Sequence, residues 1–212
     1  MSGENLRRIA AEAALSYVDP EETIGVGAGR TVEAFIRSMA ISGVRPRAAV
    51  AASARTRTLL ETHSIQVVGL ADPLVPLMVY IDGADEADTA LRLIKGGGGA
   101  LAREKVIASA AKLFVCVVEE SKLVPRLGDF PVAVEVLPMA LYFAERELRA
   151  LGGSPRMREG FETDNGNVIV DVLGLDFAEP EALEEAIDAI PGVVECGIFA
   201  HRPADVLIAG TE

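Results

Sequence analysis

Over residues 1–129, short apolar runs alternate with longer segments whose apolar positions recur at helical spacing. Residues 5–18 carry that spacing and stop at Asp19-Pro20, because a residue before proline is pushed out of the helical region. Residues 23–26 are a short β-type run leading into Gly25, Gly27 and Gly29, and 31–39 continue as helix. The pattern then predicts a strand at 48–52 ended by Ser53, a helix at 56–62, a strand at 65–70, and a strand at 77–81 closed by Asp82-Gly83. After the glycines at 96–99, ALAREKVIASAAK has high helix propensity throughout, and 113–118 is another apolar run. Strands alternating with helices imply parallel pairing through right-handed crossovers. The expected fold is therefore α/β, a doubly wound, mostly parallel, Rossmann-like sheet with helices on both faces.

From residue 130 the rhythm changes. A strand-like PVAVEV precedes a helix at 139–151, a Gly-Gly stop and a strand at 157–162; Asp164-Asn165-Gly166-Asn167 then turns the chain into a strand at 168–172. Asn-Gly between alternating apolar positions is a strong hairpin signal. A helix at 180–190 and a strand at 193–199 complete the order βαββαβ, the ferredoxin-like α+β motif. Within it, Glu181, Glu184, Glu185 and Asp188 read as a solvated helix face. The run at 205–209 is placed back in the first sheet. That gives a first domain of 1–129 plus 205–212 and an inserted second domain of 130–204.

The composition narrows the function. A net charge of -12 and a pI near 4.7 argue against a nucleic-acid surface, which needs clustered positive charge. An anionic ligand must then be met by local cations, and the unfavourable overall field is screened beyond roughly 8 Å at physiological salt. No stretch approaches a membrane span, and the start MSGENLRRIAAEAAL lacks the apolar core of a signal peptide, so a cytoplasmic location is expected. Cys116 in LFVCVV and Cys196 in VVECGIF read as buried strand residues of a reducing compartment. Neither has a neighbour at metal-ligand spacing, and His63 and His201 stand far apart, so no metal is expected.

The chemistry concentrates in residues 77–105. Asp82, Asp85 and Glu86 follow a strand, and the carboxyl ends of strands are where open α/β sheets bind ligands. Lys95 precedes Gly96, Gly97, Gly98 and Gly99; such a loop admits close backbone approach to an anion at a helix amino end. Glu104 lies in the second turn of the following helix, on the face of Ala100 and Ala108, with Arg103 and Lys105 about 100° to either side. Singly, Asp82-Gly83 is an Asx turn and Glu104 a solvated helix acid. Their coincidence at this spacing is what points to a site. A second glycine loop, Gly27-Ala28-Gly29-Arg30-Thr31, has the strand–turn–helix form of a phosphate site. A dinucleotide reading finds no support, because the chain reads AAVAAS where an acid would grip the ribose.

These residues carry a resemblance. IDGADE at 81–86, KGGGGALAREKVIAS at 95–109, ESKLV at 120–124, FPVAVEVLPMA at 130–140 and TDNGNVIVDV at 163–172 resemble, in order and over nearly the whole chain, the motifs of ribose-5-phosphate isomerase, type A. The resemblance implies an aldose–ketose isomerase acting through an enediolate, with no nicotinamide, flavin or metal and with a sugar phosphate as small-molecule partner. It implies Glu104 as general base, Lys95 and the glycine-loop N–H groups at the developing oxyanion, and Asp82 and Asp85 on sugar hydroxyls, Asp82 being favoured for ring opening. Gly83, Ala84, Gly96, Gly97, Gly98 and Lys122 would line the substrate. The family's phosphate loop usually reads Gly-Thr-Gly-Ser-Thr; here Ala28 and Arg30 replace two hydroxyls, leaving Gly29, Thr31 and backbone N–H groups, with Arg30 expected to compensate through its fork of donors. Family precedent implies a homodimer or homotetramer. Three other readings share the fold: a sugar-phosphate sensor, which would have no need of Glu104; an isomerase of another sugar phosphate; and an acyl-CoA transferase using a glutamate nucleophile.

Overall fold

The structure, a computed structural model, describes residues 3–71 and 77–211. In chain order its elements are α1 (Gly3–Ala13), β1 (Thr23–Val26), α2 (Arg30–Ser42), β2 (Ala48–Ala51), α3 (Ala54–Thr62), β3 (Leu77–Asp82), β4 (Glu86–Ala87), β5 (Leu93–Ile94), α4 (Leu101–Ala110), β6 (Leu113–Glu119), β7 (Val132–Val136), α5 (Leu141–Ala150), β8 (Ser154–Met157), β9 (Val168–Leu173), α6 (Pro180–Asp188), β10 (Val193–Cys196), β11 (Ile198–Phe199) and β12 (Val206–Gly210).

Two units emerge by compactness. The first takes the described residues up to Ala84, then Arg103–Leu123 and the chain from Ala204; the second takes Asp85–Ala102 and Val124–Pro203. Residues 85–102 and 124–129, grouped by sequence with the first domain, thus pack with the second.

In the first unit, β1 is buried along its whole length, as a parallel strand covered on both faces should be. The sheet runs β12-β6-β3-β1-β2 with every pairing parallel. One face buries Ile24, Val26, Ile81 and Val115 against Ala10 and Ala11 of α1, Phe35, Ile36 and Met39 of α2, and Leu60 of α3. Gly25, between Ile24 and Val26, points the other way, where a side chain would meet Ile107 of α4. Helices therefore cover both faces, the doubly wound arrangement. The expected strand at 65–70 reduces to one parallel bridge, Val67 with Ala49, held by Ala49 N–H to Gln66 O (2.8 Å) and Val68 N–H to Ala49 O (2.9 Å). Gly69, which weakens a strand interior, follows at once.

The second unit holds an antiparallel sheet in the order β10-β7-β9-β8 and a small sheet β11-β5-β4. Renumbered within the βαββαβ run, the first order is 4-1-3-2 with every neighbour antiparallel, the ferredoxin-like arrangement. Val134, Val170 and Val172 bury one face of this sheet with Ala144 and Leu148 of α5 and Ile187 of α6. Three local expectations are corrected. The strand placed at 157–162 lies at Ser154–Met157, because Gly160 takes φ +66° and turns the chain into a loop over 158–167 instead of a two-residue hairpin. The strand placed at 193–199 breaks at Gly197, whose N–H turns to Ala133 O (2.7 Å) and whose carbonyl accepts Lys95 N–H (2.8 Å). Glu184 is buried instead of solvated, its Oε2 accepting the N–H groups of Ala200 and His201 at 2.8 Å each.

Candidate active site

Within the first unit the parallel sheet delivers Asp82 as the last residue of β3, fully buried. A buried carboxylate must be given donors. Oδ1 accepts Gly83 N–H (2.7 Å) and Ala28 N–H (3.1 Å), and Oδ2 accepts the Tyr80 hydroxyl. Strand alternation sets Tyr80 and Asp82 on the same face, two residues apart. That spacing was the available signal for Tyr80, a residue the sequence reading passed over. Complete burial first, then the charges of Asp82 and Glu104, hold the Tyr80 phenol well above its usual range, so it remains a protonated donor.

Gly27 makes this contact possible. A side chain there would stand 1.9 Å from the Asp82 carboxylate. Its N–H bonds Ile81 O (3.0 Å), and its carbonyl accepts the buried Thr56 hydroxyl (2.7 Å), itself set by the Ser53 cap of α3. The loop then turns through Gly29, at φ +98°, into α2, whose first turn has no side-chain cap. Ala28 serves through its backbone, so the missing hydroxyl removes nothing from the Asp82 contact. Thr31 is half-buried. Arg30 is exposed, its guanidinium without a hydrogen bond or ion pair among the described residues, and lines a cavity of about 700 Å³ with Glu4, Arg7, Glu33 and Arg37 of α1 and α2. Glu104 is only 5 % exposed on α4, and Lys105, expected to point aside, is buried as well. Lys122 is half-buried in the 3-10 turn Glu120–Lys122 after β6.

The second unit carries the other candidates. Asp85 is half-buried; its N–H bonds Ile94 O (2.8 Å) and its Oδ2 accepts Gly97 N–H (2.8 Å). Lys95 is 3 % exposed, its ammonium 5.6 Å from the Phe199 ring centroid. Residues 96–99 form a turn closed by Gly99 N–H to Gly96 O (2.9 Å), and at Gly99, φ +75°, a side chain would fall 2.2 Å from Phe161. Glu86, grouped by sequence with the candidate acids, instead accepts the N–H groups of Gly128 (2.7 Å) and Phe130 (2.5 Å), and so anchors that loop. Asp188, Glu195 and Cys196 bring ligand atoms within 4.8 Å of one another. The backbone explains the grouping: both carboxylates accept the Cys196 N–H at 3.0 Å.

No helix among the described residues is long and apolar enough to cross a membrane. A family model described as ribose 5-phosphate isomerase A (phosphoriboisomerase A) matches residues 48–212. Ribose-5-phosphate isomerase A of Acidithiobacillus ferrooxidans is 51 % identical over 100 % of this chain and 96 % of its own, and that of Legionella pneumophila is 52 % identical over 94 % and 93 %. The crystal structure of the Neisseria gonorrhoeae protein of the same name superposes with a TM-score of 0.97 at 48 % identity, covering 100 % of this chain and 94 % of that one. A D-ribose-5-phosphate isomerase in complex with phospho-erythronic acid gives 0.95 at 36 % identity, covering 100 % and 96 %. The motifs, the topology and relatives spanning the full chain agree, and the chain belongs to the ribose-5-phosphate isomerase A family.

Proposed function

We propose that this chain interconverts D-ribose 5-phosphate and D-ribulose 5-phosphate through an enediolate, with Glu104 as the base. The observation that carries the assignment is a carboxylate 5 % exposed on a helix face among small residues, in a chain of this family. Moving a proton between adjacent carbons needs one base that takes it from C2 and returns it to C1, and a desolvated carboxylate with few competing waters suits both transfers. Asp82, fixed by three donors, opens the furanose and holds hydroxyls, with Asp85 on a further hydroxyl. Lys95 and the Gly98 N–H, which unlike those of Gly97 and Gly99 is not taken up within the turn, serve the oxygen on which charge develops. The uncapped first turn of α2, with Gly29 and Thr31, receives the phosphate, aided by Lys122.

The phospho-erythronic acid of the related structure supports the chemistry, since a carboxylate one carbon from a hydroxyl resembles the enediolate's paired oxygens. The departures at Ala28 and Arg30 favour a second reading, an isomerase of another sugar phosphate, over a loss of catalysis. Oligomerisation as a dimer or tetramer belongs to the same proposal, supported by Leu137, Met139, Tyr142 and Phe143 exposed together around the start of α5. The buried cysteines Cys116 and Cys196, neither of them in a disulfide, fit a reducing cytosol.

The test is turnover of ribose 5-phosphate by the native chain and by Glu104→Gln, which keeps the shape and removes the base. A loss of at least about 10²-fold in kcat with binding retained is expected. A native chain that binds the sugar phosphate without converting it is a sensor instead.

A further inference from the structure

The motif TDNGN, at 163–167, has no part in the chemistry above, yet it organises the residues around the glycine turn of the second unit. Glu135 on β7 is fully buried, and its Oε1 accepts the Thr163 hydroxyl (2.9 Å) and the side-chain amides of Asn165 (3.0 Å) and Asn167 (2.7 Å). The Thr163 hydroxyl in turn accepts the N–H groups of Asn165 and Asn167 (3.2 and 3.1 Å). The clasp fixes the loop over 158–167 to the sheet. At the loop's start, Arg158 N–H joins Ile169 O (2.8 Å), and its guanidinium grips Asp171 of β9 at two points, Nε to Oδ2 at 2.9 Å and Nη2 to Oδ1 at 2.5 Å. Phe161, from the same loop, lies with its ring centroid 5.3 Å from that guanidinium.

A guanidinium held this way has donors left over. Nη1 and Nη2 reach Gly96 O at 3.2 and 3.3 Å, and Nη1 reaches Gly97 O at 3.2 Å. Peptide bonds are planar, and no cis bond occurs among the described residues, so holding a carbonyl also aims the next N–H in the opposite direction. Arg158 on Gly96 O thereby turns Gly97 N–H to Asp85 Oδ2 at 2.8 Å. Arg158 on Gly97 O turns Gly98 N–H away from the arginine. Gly98 is exposed, its N–H has no partner among the described residues, and a side chain there would meet nothing within 4 Å.

We infer that Arg158, locked by Asp171 and by the TDNGN clasp on Glu135, is a positioning residue that orients the 96–97 and 97–98 peptides so that Gly98 N–H is presented as a fixed donor to an anionic oxygen of the reacting sugar. The inference rests on the isomerase reading for the identity of that oxygen. It does not rest on it for the geometry. A donor fixed before charge develops stabilises the transition state without reorganisation, and removing one such donor typically lowers kcat about 10²–10³-fold. A lysine has the charge but not the planar fork, and cannot hold two carbonyls and a carboxylate together.

The experiment uses the full chain with Arg158→Met and Arg158→Lys. Three quantities are read: kcat and KM for ribose 5-phosphate, the inhibition constant of phospho-erythronic acid, and amide hydrogen exchange at 96–99 without substrate. Both variants are expected to lose roughly 10–10²-fold in kcat with KM changed less than about threefold, and to bind the inhibitor more weakly in proportion. Exchange at Gly97 should accelerate. A fall in kcat with an unchanged inhibition constant reports a smaller folded fraction and overturns the inference, as does full rescue by lysine. Should Arg158→Met fail to fold, Arg158→Lys, which keeps stem and charge, decides alone. A native chain that turns nothing over defeats the isomerase reading, whereas unaltered exchange at Gly97 in the variants defeats the positioning role.

Discussion

Tyr80→Phe isolates one hydrogen bond in a place where its sign with pH is fixed. The ring stays, packed 5.0 Å from Phe114 between centroids, and only the hydroxyl on Asp82 Oδ2 is lost. A hydrogen bond to a charged partner is worth about 1.5–3 kcal/mol, so the variant should be less stable by that amount at pH 7. Burial and the neighbouring charges raise the phenol in the folded chain above its unfolded value. The associated stability is therefore fully present below about pH 10 and is lost as pH rises beyond it, while the unfolded chain ionises and the folded one resists, at about 1.4 kcal/mol per pH unit. Other alkaline titrations act on both proteins alike and cancel in the difference. Urea unfolding followed by circular dichroism between pH 7 and 11 should show the gap between native and variant constant up to about pH 10 and closing above it. Equal stabilities at pH 7, or a gap that stays parallel to pH 11, would refute the reasoning.

Gly27→Ala should lower kcat/KM for ribose 5-phosphate at least about 10²-fold in the same assay, because the new methyl occupies the space of the Asp82 carboxylate and displaces it from Ala28 N–H. Glu184→Ala leaves the N–H groups of Ala200 and His201 without their acceptor and should lower unfolding stability by about 2–4 kcal/mol, with kcat at 25 °C unchanged; a variant as stable as the native chain would show that water replaces the carboxylate at no loss.

The parallel sheet was legible because each of its strands is an apolar run bounded by a glycine, an acid or, for β2, Ser53, and periodicity reports burial. What periodicity cannot report is which polar groups go inside with it. Glu86, Glu135 and Glu184 look alike in sequence to solvated acids, yet each is buried because backbone or amide donors from distant segments converge on it. Asp82 was found from its strand-end position, whereas Tyr80 was hidden in an apolar run that reads as core. The strand expected at 157–162 failed for a related reason. Asn165-Gly166 signals a tight turn, but the side chains that make that turn specific face Glu135, about 30 residues earlier in the chain. Arg158 was invisible altogether, since the partners that give it its place at the glycine turn are backbone carbonyls, which every residue has, and its ion pair with Asp171 looks like any surface pair in sequence.

β12 has a consequence for how the chain is made. It pairs with β6 along Val206–Gly210, and Gly210 lies so close to α1 that a side chain there would strike the backbone of Leu6. During synthesis, residues 115–118 of β6 and the inner side of α1 must wait for a strand that leaves the ribosome some 90 residues after one and 200 after the other. Until then an apolar strand edge stands open, the kind of surface on which nascent chains pair with the wrong neighbour. Among the described strands of the first unit, β12 is made last, and its pairing with β6 closes that edge of the sheet.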